Sequence, residues 1–250
     1  MKTYLVIPTY NEAGNIEALL KEIRAQNIPD LTPVVVDDNS PDGTAKLAEK
    51  DAKVILRTKD RGRGSAGIEG FKYALKEGAD YIIEMDADFS HHPKYLKDLI
   101  KPMDKYDIVL GSRFVEGGKD LDRGIARKVV TTFARNYIKW MLGIKINDIT
   151  SGYRCFRRKV LEAIDLDHMI STGPSIVSEI LYKASLKGFK IYEAPIIFED
   201  RKTGETKLNF KILLKTLYMI YKFRKAWPDA KSVGSKKEKE PTISLSGQTK

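Results

Sequence analysis

Apolar residues recur along the first hundred positions in two alternating rhythms. The runs YLVIP (4–8), PVVVDD (33–38), AKVILRT (52–58) and DYIIEMDAD (80–88) are short and rich in β-branched or aromatic side chains, so they predict strands. Between them the spacing changes. Ile16, Leu19, Leu20 and Ile23 predict a helix in NIEALLKEIRAQ, a second falls near Thr44 to Asp51, and GSAGIEGFKYALKEG supplies a third. Strands alternating with helices imply βαβ units and a parallel sheet, in which ligand-binding groups gather at the carboxyl ends of the strands. Polar clusters occupy those ends here: Thr9 to Glu12, Asp37 and Asp38, Arg57 to Arg63, then Asp86 and Asp88. They are expected on one edge of the sheet.

Past residue 105 the rhythm loosens. A short strand DIVLGSR, a helix near 124–142, a turn NDITSGYR, a helix near 174–187 and a strand FKIYEAPIIFED are expected. The segment LNFKILLKTLYMIYKFRKAW (208–227) reads as a helix in which leucines and aromatics such as Leu213, Tyr221 and Trp227 are interleaved with Lys215, Lys222 and Arg224. Residues 229–250 are polar and poor in aromatics, the composition of a disordered tail, which leaves 1–228 as one domain.

Composition narrows the possibilities. A chain of 250 residues with 42% hydrophobic content can bury a substantial core without covalent staples. The single cysteine, Cys155, excludes an intramolecular disulfide framework and a multi-cysteine zinc site, and fits a reducing compartment. The apolar stretch at the N-terminus is too short for a signal peptide, and no run reaches the roughly 18 apolar residues of a membrane-spanning helix. The net charge of +10 points to an anionic partner: nucleic acid, a phosphorylated small molecule or a membrane surface. Nucleic acid has only charge in its favour, since no helix-turn-helix, RNA-recognition or zinc-finger pattern occurs.

Asp86 and Asp88 raise a chemical question. In an extended segment residues i and i+2 point to the same side, so the two carboxylates would repel unless something neutralises them. A hard divalent cation does so, taking one or two protein carboxylates together with substrate phosphates. Taken alone, such a pair more often marks a solvated turn that caps the next helix. His91 and His92 are adjacent and cannot easily converge on one ion, so a structural or substrate-lining role is expected of them.

Several motifs occur in order: IPTYNE, VVVDDNSPDGT, MDADFSHHP, the GSR with FVEGGK, ITSGYRCFRRKVL and FEDRKTGETKL. Together they resemble the GT-A fold glycosyltransferases of family 2 and, more narrowly, the dolichyl-phosphate mannose synthases, over about residues 1–225. The resemblance implies a Rossmann-like, mostly parallel α/β sheet flanked by helices, with a C-terminal amphipathic helix facing a membrane. It implies inverting transfer of mannose from GDP-mannose to dolichyl phosphate, giving a β-linked mannosyl phosphate lipid used as a mannose donor in protein glycosylation. On this resemblance Pro8, Thr9, Tyr10, Glu12, Val36, Asp37, Asp86, Ala87, Asp88, Arg201 and Lys207 bind the nucleotide sugar. Asp38 is the weaker candidate, since it or Ser40 equally reads as a helix cap. Mg²⁺ or Mn²⁺ is expected on Asp86 and Asp88; at position 90, where some relatives carry glutamine, Ser90 is a poorer ligand.

The resemblance assigns Arg113, Arg127 and Thr131 to the lipid phosphate, and Arg201 and Lys207 to a loop closing over the diphosphate; Asp88, Arg113 and Arg201 are the expected catalytic set. Arg123, Arg157 and Arg158 read as solvated surface charges. No catalytic base is called for, because a phosphate monoester is already largely ionised at neutral pH, with a second pKa near about 6. Dolichol is a membrane lipid, so peripheral association with the cytoplasmic face of a membrane is expected, of the endoplasmic reticulum in a eukaryote or the cell membrane in an archaeon. The helix at 208–227 supplies the contact, and either a bilayer or a small membrane subunit fits it; helix 124–142 is a second wall or core packing. The rival readings are transfer of glucose from UDP-glucose and a catalytically silent membrane-bound subunit.

Overall fold

The computed structural model describes residues 1–121, 124–171, 173–199 and 210–227, with main chain only at 125–128 and 210–212. Its first half follows the predicted alternation: β1 (Thr3–Thr9), α1 (Ile16–Ala25), β2 (Leu31–Asp37), α2 (Thr44–Ala48), β3 (Lys53–Leu56), α3 (Arg63–Lys76) and β4 (Tyr81–Glu84). The second half runs α4 (Leu96–Ile100), β5 (Ile108–Ser112), β6 (Lys119–Asp120), α5 (Ile125–Leu142), β7 (Arg154–Arg157), α6 (Arg158–Ala163), α7 (Ile176–Leu186), β8 (Ile191–Pro195), β9 (Ile197–Phe198) and α8 (Phe210–Ala226).

Seven strands form one sheet in the order β3-β2-β1-β4-β7-β5-β8, and β6 pairs with β9 in a small second sheet. All neighbours in the large sheet are parallel except β7, which runs antiparallel to both β4 and β5. The period-2 pattern of β1 explains how the sheet is covered. Tyr4 and Val6 enter the core beneath α3, α5 and α7, while Leu5 and Ile7 enter the core that holds α1 and α4. Helix α5 turns Ala134, Ile138 and Leu142 inward at four-residue spacing, and α8 turns in Ile220 and Phe223.

The order β2-β1-β4 places a topological switch point beside β1, where an open crevice at the strand ends takes the ligand. β7 is a correction to the sequence reading, which expected a turn through residue 154 and no strand. Its four residues RCFR carry charge at both ends, yet Cys155 and Phe156 are buried on opposite faces. Arg157 and Arg158 are likewise not simple surface charges: Arg157 donates to the carbonyls of Tyr106 and Met103, and Arg158 to that of Leu75. Arg123 lies outside the described residues.

Candidate active site

A cavity of about 710 Å³ opens at the carboxyl ends of β1, β2 and β4. Pro8 and Thr9 line it from the end of β1, Tyr10 and Glu12 from the loop that follows, and Asp86, Ala87 and Asp88 from the loop after β4. The strand before the aspartates is shorter than expected, ending at Glu84. The main-chain N–H of Asp86 donates instead to His91 Nδ1 at 3.0 Å, and Phe89 takes a left-handed φ of 61° that turns the chain. The alternation of an extended strand therefore does not bring the two aspartates together. A tight loop does, and both still reach the cavity.

His91 lines the cavity as expected, stacked on Tyr153 with ring centroids 5.1 Å apart. Burial pushes its pKa below the ordinary histidine value, against the pull of Asp86 and Asp88 and with a further push from Arg63 and Arg113. With Nδ1 accepting a hydrogen bond, the neutral ring carries its proton on Nε2. Asp88 Oδ1 accepts from both the amide (3.1 Å) and the hydroxyl (2.6 Å) of Ser90. Ser90 is buried and outside the cavity lining, so its hydroxyl braces Asp88 rather than offering a ligand of its own.

Two expectations at β2 change. Asp37 is wholly buried and accepts from Thr9 Oγ1 (2.7 Å), the Ser40 amide (2.7 Å) and Ser40 Oγ (2.6 Å), tying the first two strand ends together behind the site. Val36 points into the core under α3. Neither side chain lines the cavity; Asp38 does, while bonding Arg57 Nη1 and the Gly62 amide, both at 2.6 Å. Capping of α2 falls to neither Asp38 nor Ser40, because Asp42 accepts from the Thr44 amide.

Arg113 lines the cavity with its guanidinium held on Asp148 by two bonds of 2.7 Å and by a third to Thr150. Phe114 and Phe198 flank it at 5.0 and 5.1 Å, and Glu193 fixes the loop bearing Asp148 through the amides of Asn147 and Asp148. Burial alone would lower the Arg113 pKa, but Asp148 outweighs it and raises it. Thr131 lines the same cavity, one turn of α5 beyond Arg127, whose side chain is outside the described residues. Arg201 and Lys207 also lie outside them.

The residues the sequence reading left without a role are Arg63, Glu84, Arg154 and Asp148. Glu84 and Arg154, almost fully buried, form an ion pair, and Arg154 Nη1 also donates to the Val177 carbonyl at 3.0 Å. Arg63 reaches Glu84 at 3.2 Å through Nη1 and grips Asp86 Oδ1 through Nε (2.9 Å) and Nη2 (2.6 Å). The local signal for Arg63 is its place in the RGRG run, which opens α3 after the loop from β3.

Among the described residues, no group of three or more His, Cys, Asp or Glu side chains is placed to hold a metal ion. The two cavity aspartates nevertheless suit a hard divalent cation that draws its remaining oxygens from a bound diphosphate. An α/β sheet with a carboxylate pair at its switch point and a large crevice above it is the arrangement of a GT-A glycosyltransferase.

The sequence profile described as glycosyl transferase family 2 matches residues 4–165. An undecaprenyl-phosphate mannosyltransferase of Micrococcus luteus is 39% identical over 215 residues, covering 84% of this chain and 88% of that protein. A polyprenol monophosphomannose synthase of Mycolicibacterium smegmatis is 36% identical over 227 residues, covering 88% and 85%. The fold is shared with glucosyl-3-phosphoglycerate synthase of Mycobacterium tuberculosis, solved with Mn²⁺, UDP and glucosyl-3-phosphoglycerate, at TM-score 0.68 and 18% identity over 91% of this chain and 81% of that one. The chain belongs to glycosyl transferase family 2, in the branch of the polyprenyl-phosphate mannosyltransferases.

Proposed function

We propose that the protein transfers mannose from GDP-mannose to a polyprenyl phosphate of the dolichyl type, with inversion at the anomeric carbon. One observation carries this reading: a single cavity joins the aspartates of the sheet edge to Val130 and Thr131 of α5 and Leu213 of α8. A polar donor end and an apolar mouth in one space suit a nucleotide sugar meeting a phosphorylated lipid. The names of the two mannosyltransferase relatives support the choice of sugar and acceptor.

In this mechanism the loops after β1 and β2 hold the nucleoside, and Asp88, braced by Ser90, faces the diphosphate with Asp86 beside it. Mg²⁺ or Mn²⁺ bound there would offset the charge that develops on the leaving diphosphate. Arg113 and Thr131, with Arg127, orient the lipid phosphate, and Arg201 and Lys207 close over the donor. The acceptor oxygen is already ionised, so no side chain need remove a proton, and the rate comes from positioning and charge.

The outer face of α5 supports membrane contact: Val129, Phe133 and Trp140 are 62%, 63% and 76% exposed. Leu214, Tyr218 and Tyr221 of α8, which packs beside α5, are exposed as well. No helix among the described residues is long and apolar enough to cross a membrane, so the contact would be interfacial. Residues 1–228 act as one catalytic unit in this reading; the tail from 229 lies outside the described residues.

The test is transfer by purified protein from labelled GDP-mannose to dolichyl phosphate in detergent, with Mn²⁺ or Mg²⁺ against EDTA and UDP-glucose as the rival donor. Metal-dependent mannosyl lipid that falls at least about 100-fold in a folded Asp88→Ala variant is expected. Transfer from UDP-glucose alone would overturn the sugar, and no transfer from either donor would overturn the enzyme reading in favour of a silent subunit.

A further inference from the structure

A row of alternating charges runs from the buried core to the cavity, which Arg63 and Asp86 line. Arg154 pairs with Glu84, Glu84 with Arg63, and Arg63 with Asp86. Two guanidinium groups and two carboxylates cancel, so the row as a whole is neutral and the charge of Asp86 is already balanced by Arg63. Arg63 is firmly placed. Gly62 before it adopts φ 140°, which a side chain would resist, and so starts α3 with Arg63 aimed at the strand end. Gly152 closes from the other side, and a Cβ there would overlap Arg63 Nη2. Burial alone would lower the Arg63 pKa, yet the carboxylates of Asp86 and Glu84, with Asp88 beyond, hold it above the ordinary arginine value.

A divalent cation approaching by itself therefore meets a site in which the arginine already balances one of its two carboxylates. Carboxylate charge count is a main determinant of affinity for hard cations, and a nucleoside diphosphate brings the missing negative oxygens with it. We propose that Arg63 is a positioning residue that keeps Asp86 oriented and charge-balanced, so that the divalent cation enters only together with a nucleoside diphosphate. The inference rests on the metal-assisted donor reading above and deepens it. Its consequence is an order of events: metal and diphosphate each raise the affinity for the other, and by linkage by the same factor. The bare enzyme does not hold the ion in wait.

The test is titration of the full chain with Mn²⁺, followed by the electron paramagnetic resonance of the free ion, with and without GDP. In the unaltered protein GDP is expected to tighten Mn²⁺ binding by at least about tenfold. Arg63→Met, which uncovers the charge of Asp86, should bind Mn²⁺ alone at least about tenfold more tightly than the unaltered protein and lose most of the GDP effect. Arg63→Lys keeps the charge but loses the forked bonds to Asp86 and Glu84, so its affinity for Mn²⁺ alone should lie nearer that of the unaltered protein than that of Arg63→Met does, a graded rescue that a merely structural role does not predict. If Arg63→Met does not fold by circular dichroism, Arg63→Gln carries the same expectation. A folded neutral variant with unchanged Mn²⁺ affinity and an unchanged GDP effect overturns the proposal. If the unaltered protein takes up no Mn²⁺ even with GDP, the metal-assisted reading falls and the proposal with it, a pattern distinct from a failure confined to the variants.

Discussion

Replacing Glu84 by glutamine removes one charge from the middle of the row and leaves the shape almost unchanged. Glu84 is 1% exposed and Arg154 is fully buried, so the arginine cannot recover its lost partner by turning to water. Arg154 would keep the Val177 carbonyl, while its Nε already has no hydrogen-bond partner among the described residues. Arg63 could fall back on Asp86; among the described residues Arg154 has no comparable second carboxylate in hydrogen-bond contact. Breaking a buried pair from one side costs about 3–5 kcal/mol, because the remaining charge stays desolvated. For a chain of 250 residues, at about 2–4 °C per kcal/mol, Tm should fall by roughly 6–20 °C. Circular dichroism at 222 nm during thermal unfolding measures this. The double variant Glu84→Leu with Arg154→Met should recover part of the loss, since neither charge then remains buried at the original pair. A Tm within about 2 °C of the unaltered protein for Glu84→Gln would refute the reasoning, because it would mean that water or a rearranged partner already supports Arg154.

Other outcomes follow from the same geometry. Asp107 accepts from the Lys190 amide (2.9 Å) and pairs with Lys159 (2.6 Å). Burial would raise its pKa, but the bonds to Lys159 and Lys190 prevail and hold it below the usual 3.8. Its stabilisation is therefore present above pH 3.8 and lost as pH falls through the lower folded value. Asp107→Asn should cost about 1 kcal/mol near neutrality, and urea titrations should show that gap closing in acid. Gly152→Ala should swing the flexible tip of Arg63 off Asp86 at little cost in stability, below about 1 kcal/mol, and lower mannosyl transfer by at least about tenfold; unchanged transfer would show that the guanidinium yields without leaving Asp86. Phe133→Ala with Trp140→Ala should leave Tm within about 2 °C but reduce co-sedimentation with anionic lipid vesicles by about five- to tenfold.

The candidate site was partly legible in advance. The aspartates, the end of β1 with its following loop, and Arg113 end strands whose apolar pattern is plain, and all of them line the cavity. The aspartates do not align as i and i+2 of a strand, since β4 stops at Glu84. At β2 Asp37 is bonded to Thr9 and Ser40, and Asp38 lines the cavity. No local pattern distinguishes two adjacent carboxylates when the difference lies in which one meets a hydroxyl from another loop.

What the sequence by itself determined is what depends on neighbours along the chain. Period-2 and helical spacings set the βαβ units, and their strand ends set one polar edge, because burying an apolar face is a demand each segment makes alone. Tertiary structure alone decided the insertion of β7 between β4 and β5, and with it the meeting of Arg154 and Glu84 across 70 positions of sequence. It also decided that Arg63 faces Asp86 and that the aromatic side of α5 stays exposed. The reason is energetic: an arginine is tolerated in a core only where a carboxylate compensates its desolvation, and that partner is supplied by the fold, not by adjacent residues.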